Sequence, residues 1–150
     1  MSWQDQLKGD SLSWLLESDS PGVRYLAMRD LLECKKDNPE LQAARELAHA
    51  KGPIATILKN MHKEGYWVEP GPGYNPKYKS TVWAIILLAE LGATIEQDER
   101  IARACSYYLD HALTSGGHFS SSGAPSGTAD CLQGEMCWAL VAMGCDDPRL

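Results

Sequence analysis

The chain has 150 residues, 44% of them hydrophobic and 23% charged, as in an ordinary globular protein. Its formal net charge of −6 argues against nucleic acid as a partner, because a basic surface is needed to neutralise phosphates. No apolar run reaches the roughly 18–20 residues that span a bilayer. The N-terminus lacks the basic and apolar regions of a signal peptide. We therefore expect a single cytoplasmic domain over residues 1–150, without a membrane span.

Proline and glycine residues divide the chain into segments with helical periodicity. Ser11–Glu17 is a short apolar turn, and the predicted helices that follow it in chain order are Pro21–Leu32, Pro39–Ala50, Ile54–Met61, Val82–Leu91, Asp98–Leu113 and Cys131–Met143. The residue pair Ser80-Thr81 is expected to cap the helix Val82–Leu91. Two segments rich in proline, glycine or serine are predicted loops, Glu69–Lys79 and Ser115–Asp130. No segment alternates as a strand does, so the predicted fold class is all-α.

The predicted helices fall into two classes. Val82–Leu91 and Cys131–Met143 carry one charge each, Glu90 and Glu135, and we expect both helices to be buried on nearly all faces. Asp98–Leu113 carries charges along one side and should face solvent. Apolar inner helices thus alternate with amphipathic outer helices.

Several markers recur at a spacing of 52 residues. Leu91-Gly92 and Met143-Gly144 are separated by this distance, and so are Gly65 and Gly117, each of which is followed by aromatic residues. This spacing predicts α/α-hairpin repeats, with hairpins at roughly 20–65 and 80–117 and an incomplete one from 131.

Gly65-Tyr66-Trp67 and Gly116-Gly117-His118-Phe119 are similar to the glycine-aromatic repeat motif of the α/α-toroid proteins, which include terpenoid (squalene-hopene-type) cyclases and protein prenyltransferase β subunits. The resemblance covers roughly residues 20–150 and implies part of such a toroid. It also implies an apolar, isoprenoid-like ligand in a cavity beside the inner helices. The chain has fewer hairpins than a closed toroid of this family, so we expect a fragment, self-association or a completing partner.

The chain departs from this family at both of its catalytic signatures. No Asp-x-Asp-Asp acid motif is present, and Asp146-Asp147 is the only adjacent aspartate pair. Asp130-Cys131 resembles the zinc motif of prenyltransferases only faintly, because its residues are adjacent and no histidine follows. The family's routes to catalysis are therefore not supported by these residues.

The candidate ligand-binding residues are aromatic side chains on or near the inner helices. Tyr25, Trp83, Trp138 and Trp67 could contact an isoprenoid chain or stabilise a cation, and ordinary core packing is the alternative. The loop Glu69–Lys79, with the aromatic residues around it, could cover a cavity mouth or clamp two hairpins together.

Glu135 and Glu90 are the candidate catalytic residues. A carboxyl group buried in an apolar helix has a raised pKa and can act as a general acid. The alternative is that each carboxylate lies at an open rim or pairs with an arginine such as Arg24 or Arg29.

No metal site or cofactor is predicted. The nearest candidate ligands are Asp130, Cys131, Cys137, His111 and His118, but the six-residue interval between the two cysteines does not match a structural zinc site. All five cysteines are expected to be free, buried thiols, because their number is odd and no export signal precedes them.

Two functions follow from these observations. The first is a cyclase- or prenyltransferase-like protein that binds an apolar small molecule, with or without catalysis. The second is a non-catalytic helical repeat module that binds a protein partner or another copy of itself.

Overall fold

The computed structural model describes residues 4–150. Its α-helices are α1 (Ser11–Leu15), α2 (Pro21–Leu26), α3 (Pro39–Ala50), α4 (Pro53–Lys59), α5 (Thr81–Glu90), α6 (Glu99–Ala112) and α7 (Asp130–Ala142). Within residues 4–150 there is no β-strand, only isolated bridges from Leu113 to Phe119 and from Ser120 to Thr128. The predicted all-α fold class is confirmed.

The chain divides into two compact units, one ending at Ala55 and the other spanning Thr56–Leu150. The boundary falls inside α4. In the first unit α2 packs against α3, and its buried residue Tyr25 is followed by a π-helical turn, Ala27–Leu31. The predicted helix Pro21–Leu32 is therefore an α-helix only as far as Leu26.

The core of the second unit forms where α5 packs against both α6 and α7. Its fully buried side chains include Ile85 and Leu88 on α5, Tyr108 on α6, and Met136 and Leu140 on α7. Each buried aliphatic side chain of this size contributes about 1.5–3 kcal/mol. The apolar sequence of α5 is explained by this position between two neighbours.

The helices α3 and α6 begin at side chains that cap them, and α5 does not. Asn38 and Asp98 accept backbone N–H hydrogen bonds at the starts of α3 and α6. Ser80 precedes α5 but makes no side-chain cap, which corrects the prediction. Its hydroxyl donates instead to the carbonyl oxygens of Gly73 and Pro76, at 2.7 and 3.0 Å. Ser80 thus holds the preceding loop against the start of α5.

The ends of α5 and α7 have the same backbone geometry. Gly92 and Gly144, 52 residues apart, have positive φ angles of 76° and 87°. The N–H of the residue after each glycine donates to the carbonyl oxygen five positions earlier, at 2.9 and 3.0 Å. This is the Schellman arrangement, in which glycine avoids the strain that a Cβ would cause.

The turns at Gly65 and Gly117 also share their hydrogen bonds. Each glycine N–H donates to the carbonyl oxygen three positions earlier, in His62 and Thr114 respectively, at 2.9 and 3.0 Å. The N–H of His62 or Thr114 in turn donates to the carbonyl oxygen of the residue after the glycine, at 2.8 and 2.9 Å. Both turns are therefore closed by the same two bonds.

The aromatic residue that follows each turn is tied to the next helix. The backbone N–H of Trp67 donates to Thr81 Oγ1 at 3.1 Å, and that of Phe119 donates to Gln133 Oε1 at 2.7 Å. Trp67 and Phe119 are both buried. The two donors are 52 residues apart in the sequence, and so are the two acceptors, Thr81 and Gln133.

Candidate functional site

An open cavity of about 420 Å³ lies beside α5 and α7, within the second unit. Its walls come from one face of α5, from the start of α7 and from the loop before α5. The lining residues are Tyr74, Tyr78, Val82, Trp83, Ile86, Leu87, Glu90, Cys131, Leu132 and Glu135. We call this cavity the α5–α7 pocket.

Trp83 organises the aromatic wall of the α5–α7 pocket. Its indole N–H donates to the carbonyl oxygen of Tyr74 at 2.8 Å. The centroids of the Tyr74 and Tyr78 rings lie 5.5 and 4.8 Å from the Trp83 ring, both tilted. Such tilted contacts are favourable for aromatic pairs. The Tyr78 side chain is 78% exposed and stands at the mouth.

The loop that carries both tyrosines is held against the start of α5. Val82 donates its N–H to the Gly73 carbonyl oxygen at 3.0 Å. A Cβ on Gly73 would lie 2.5 Å from the Cβ of Thr81, and the Gly73 φ angle is +70°. Only glycine satisfies both conditions. This close approach, together with the Ser80 hydroxyl bonds, fixes Tyr74 over Trp83.

Glu90 and Glu135 both line the α5–α7 pocket, and both are exposed. The burial on which a general-acid role was predicted is therefore wrong for both carboxyl groups. The physical reason is their position at the open side of the cavity, where solvent reaches them. Glu90 and Glu135 thus lie at an open rim, which was one of the two alternatives to burial; the other was an ion pair with an arginine.

The first unit contains the arginines that were alternative partners for these acids, together with Tyr25. Arg24 pairs with Glu40 at 3.1 Å, and Arg29 pairs with Asp30 at 2.6 Å. The Arg29 guanidinium carbon lies 5.4 Å from the centroid of the buried Tyr25 ring. Tyr25 is not a lining residue of the α5–α7 pocket.

The two remaining aromatic candidates lie outside the pocket wall. Trp67 is buried, donates its indole N–H to the Ile57 carbonyl oxygen at 2.8 Å, and lines a smaller cavity of about 210 Å³ together with Trp83. Trp138 is 49% exposed. It follows Glu135 by three residues and Cys131 by seven, so it lies on the same face of α7 as these wall residues.

The exposure of α7 differs from the sequence prediction. Leu132, Met136, Ala139 and Leu140 are buried, but Trp138 is half exposed and Val141 is 63% exposed. The helix is buried on one face only, because its packing partner in the second unit, α5, covers one side. The opposite face, with Trp138 and Val141, lies open.

The cysteines are all free, as predicted, but only Cys105 is buried. Cys131 and Cys137 are exposed on α7, which corrects the prediction that the thiols are buried. Burial, aided by the nearby Cys145 thiol, raises the pKa of Cys105 to about 12.

Within residues 4–150, no three His, Cys, Asp or Glu side chains converge as metal ligands would. His111 lies with its Nδ1 2.8 Å from the Tyr107 carbonyl oxygen, and its ring stacks on the Tyr107 ring with centroids 3.9 Å apart. Cys131 borders the α5–α7 pocket instead.

Sequence reasoning missed the aliphatic part of the wall, in particular Ile86 and Leu87. The signal was present, because Trp83, Ile86, Leu87 and Glu90 follow the i, i+3, i+4, i+7 spacing of one helix face. We expected α5 to be covered all round, and this spacing was therefore not interpreted as a wall.

In the part of the chain that the structure describes, no helix is long and apolar enough to cross a membrane. No protein family, curated protein or solved structure matches this chain.

Proposed function

We propose that this protein binds a small apolar molecule in the α5–α7 pocket. The observation that carries the proposal is a cavity of about 420 Å³ with mainly aliphatic and aromatic walls. Ligand sites in proteins are concave, mostly apolar and about 300–1,000 Å³ in volume, with a few polar groups that orient the ligand. The α5–α7 pocket has each of these properties.

An isoprenoid-like ligand is the form of this proposal that the resemblance to terpenoid cyclases and prenyltransferases implies. The hydrogen bonds that recur 52 residues apart support a hairpin repeat of the kind these toroids contain. Glu90 and Glu135 are exposed, which favours a protein that binds such a ligand without transforming it.

The test is a titration of the protein with farnesol, followed by tryptophan fluorescence and by calorimetry. We expect saturable binding that is lost in Ile86→Trp, because the larger side chain fills the cavity from its own wall. Val141→Trp is the matched control, since Val141 is exposed on α7 and does not line the α5–α7 pocket. Equal binding by both variants would place the ligand elsewhere and overturn the proposal.

The open face of α7 favours a second candidate function, self-association through this helix. Trp138 and Val141 lie there on one helical stripe with Gly134 and Cys137, a patch of four uncharged residues that Glu135 borders on the side of the α5–α7 pocket. A second copy of the chain is the occupant we propose. Two identical uncharged patches can meet across a two-fold axis without bringing like charges together, whereas the rest of a chain of net charge −6 repels its copy.

Light scattering across a concentration series tests this second candidate. We expect a dimer that dissociates on dilution and that is abolished by Trp138→Lys, with Trp14→Lys as the control at another exposed tryptophan. A monomer at every concentration would rule out self-association through α7.

A further inference from the structure

The charged side chains of the α5–α7 pocket are all acidic. Glu90 and Glu135 approach the cavity from different helices, and none of the described lining residues is Lys, Arg or His. Within residues 4–150, neither carboxylate forms an ion pair or a hydrogen bond. The pocket thus presents two unpaired negative charges beside apolar walls.

The position of Glu90 makes a positive ligand favourable for a second reason. Glu90 is the last residue of α5, where the helix dipole places partial negative charge, and the last turn of α5 has no basic residue. A cation bound near this end would interact favourably with both the carboxylate and the helix terminus.

The aromatic wall provides a third, independent attraction for positive charge. Tyr74, Tyr78 and Trp83 form one cluster, with Trp83 within 5.5 Å of both tyrosine rings. The faces of such rings attract ammonium groups, and Trp is the strongest of the three residue types. The Lys77 ammonium already lies 5.7 Å from the centroid of the Tyr74 ring.

From these three features we infer that the ligand is an organic cation, an ammonium group attached to an apolar body. The apolar body lies against α5 and Leu132, and the ammonium group lies between Glu90, Glu135 and the aromatic cluster. This inference rests on the proposed function, because it assigns a charge to the ligand of the same pocket.

Three probes of equal chain length distinguish the contribution of the ligand's charge to affinity from that of its apolar body. Octyltrimethylammonium, octanol and octyl sulfate are titrated below their micelle concentrations, with calorimetry as the readout. We expect octyltrimethylammonium to bind about tenfold more tightly than octanol, the factor for one or two exposed charge contacts together with a cation–π contact. Octyl sulfate should bind most weakly.

The double variant Glu90→Gln/Glu135→Gln should reduce the ratio of octyltrimethylammonium affinity to octanol affinity to the part that the aromatic cluster and the end of α5 supply. Glu17→Gln/Asp19→Asn is the matched control, since it alters the net charge equally at exposed residues of the first unit. A preference that is undiminished in the Glu90/Glu135 variant, or that falls equally in both variants, would overturn the assignment of the charge to these carboxylates.

The possible failures of the two proposals are distinguishable. Octanol binding without any preference for the cation would refute the inference and leave the apolar pocket intact. Absence of binding by all three probes would refute the proposed function itself. Lys77→Gln gives an additional check, because removal of a competing cation should strengthen octyltrimethylammonium binding and not octanol binding.

Discussion

Trp83 and Tyr74 are joined twice, by an indole N–H donated to the Tyr74 carbonyl oxygen at 2.8 Å and by a ring contact at 5.5 Å. One residue lies on α5 and the other in the loop Glu69–Lys79. The pair therefore couples the conformation of this loop to the wall of the α5–α7 pocket.

Trp83→Phe keeps an aromatic ring but removes the indole donor. We expect a loss of about 1 kcal/mol in the free energy of unfolding, the typical contribution of a hydrogen bond. Because the loop loses this tie, trypsin should cleave faster after Lys77 and Lys79, as measured by mass spectrometry of the native protein. Trp138→Phe is the control, and the same acceleration in that variant would contradict the coupling.

Gly65 and Gly117 occupy equivalent turns but differ in their surroundings. A Cβ on Gly65, at φ +105°, would lie 2.7 Å from the Arg103 carbonyl oxygen, whereas a Cβ on Gly117, at φ +76°, meets nothing within 4 Å. We expect Gly117→Ala to cost about 1–2 kcal/mol from backbone strain alone. Gly65→Ala should cost more, because the Arg103 backbone must also move.

Chemical denaturation of the two glycine variants gives this comparison directly. Equal losses of stability would mean that the second unit accommodates the added Cβ without displacement of α6. A larger loss in Gly117→Ala would contradict the predicted order.

Much of the helical pattern could be predicted from sequence because it depends on local residues. Pro39 with Asn38, and Gly92 with Gly144, mark helix ends through backbone geometry that adjacent residues determine. Whether Glu135 is covered depends instead on which helices pack beside α7, and no periodicity within α7 reveals this. The partners of the Ser80 hydroxyl likewise depend on the path of the preceding loop.

The thiol groups should react in two kinetic classes. With the pKa of Cys105 raised to about 12, its thiol stays protonated at pH 8 and is also buried, so it should react slowly with a disulfide reagent. Cys131 and Cys137 are exposed and should react fast. In denaturant all five thiols should react.

Cysteine-to-serine variants show which cysteines belong to the fast and the slow class. Cys137→Ser should lower the number of fast thiols by one, and Cys105→Ser should leave it unchanged. A fall in the fast class of the Cys105→Ser variant would show that the reagent reaches the core of the second unit.

Asp147 should contribute to the acid stability of the protein. Hydrogen bonds from the Arg149 side chain and backbone lower the pKa of Asp147 to about 2, below the ordinary value of 3.8. A carboxyl group with a lowered folded-state pKa contributes stability above its unfolded-state pKa, and that contribution is lost as the pH falls. The relevant window therefore runs from about pH 4 down to about pH 2.

Asp147→Asn should flatten the decline of stability across this window, as measured by thermal melts at successive pH values. Asp146→Asn is the neighbouring control, since Asp146 makes no hydrogen bond to the described residues. Parallel declines in the wild type and both variants would contradict the role given to the Arg149 contacts.

Tyr78 has a strained backbone conformation, although its side chain makes a favourable contact. The residue has a φ angle of +64°, a conformation that costs a non-glycine residue about 1–3 kcal/mol, and its ring nevertheless packs on Trp83 at 4.8 Å. Tyr78→Gly relieves this backbone strain, but it also removes the favourable contact with Trp83 and one wall of the α5–α7 pocket. A directed-evolution experiment that selects for heat resistance alone should tolerate this substitution, and one that also selects for ligand retention should reject it.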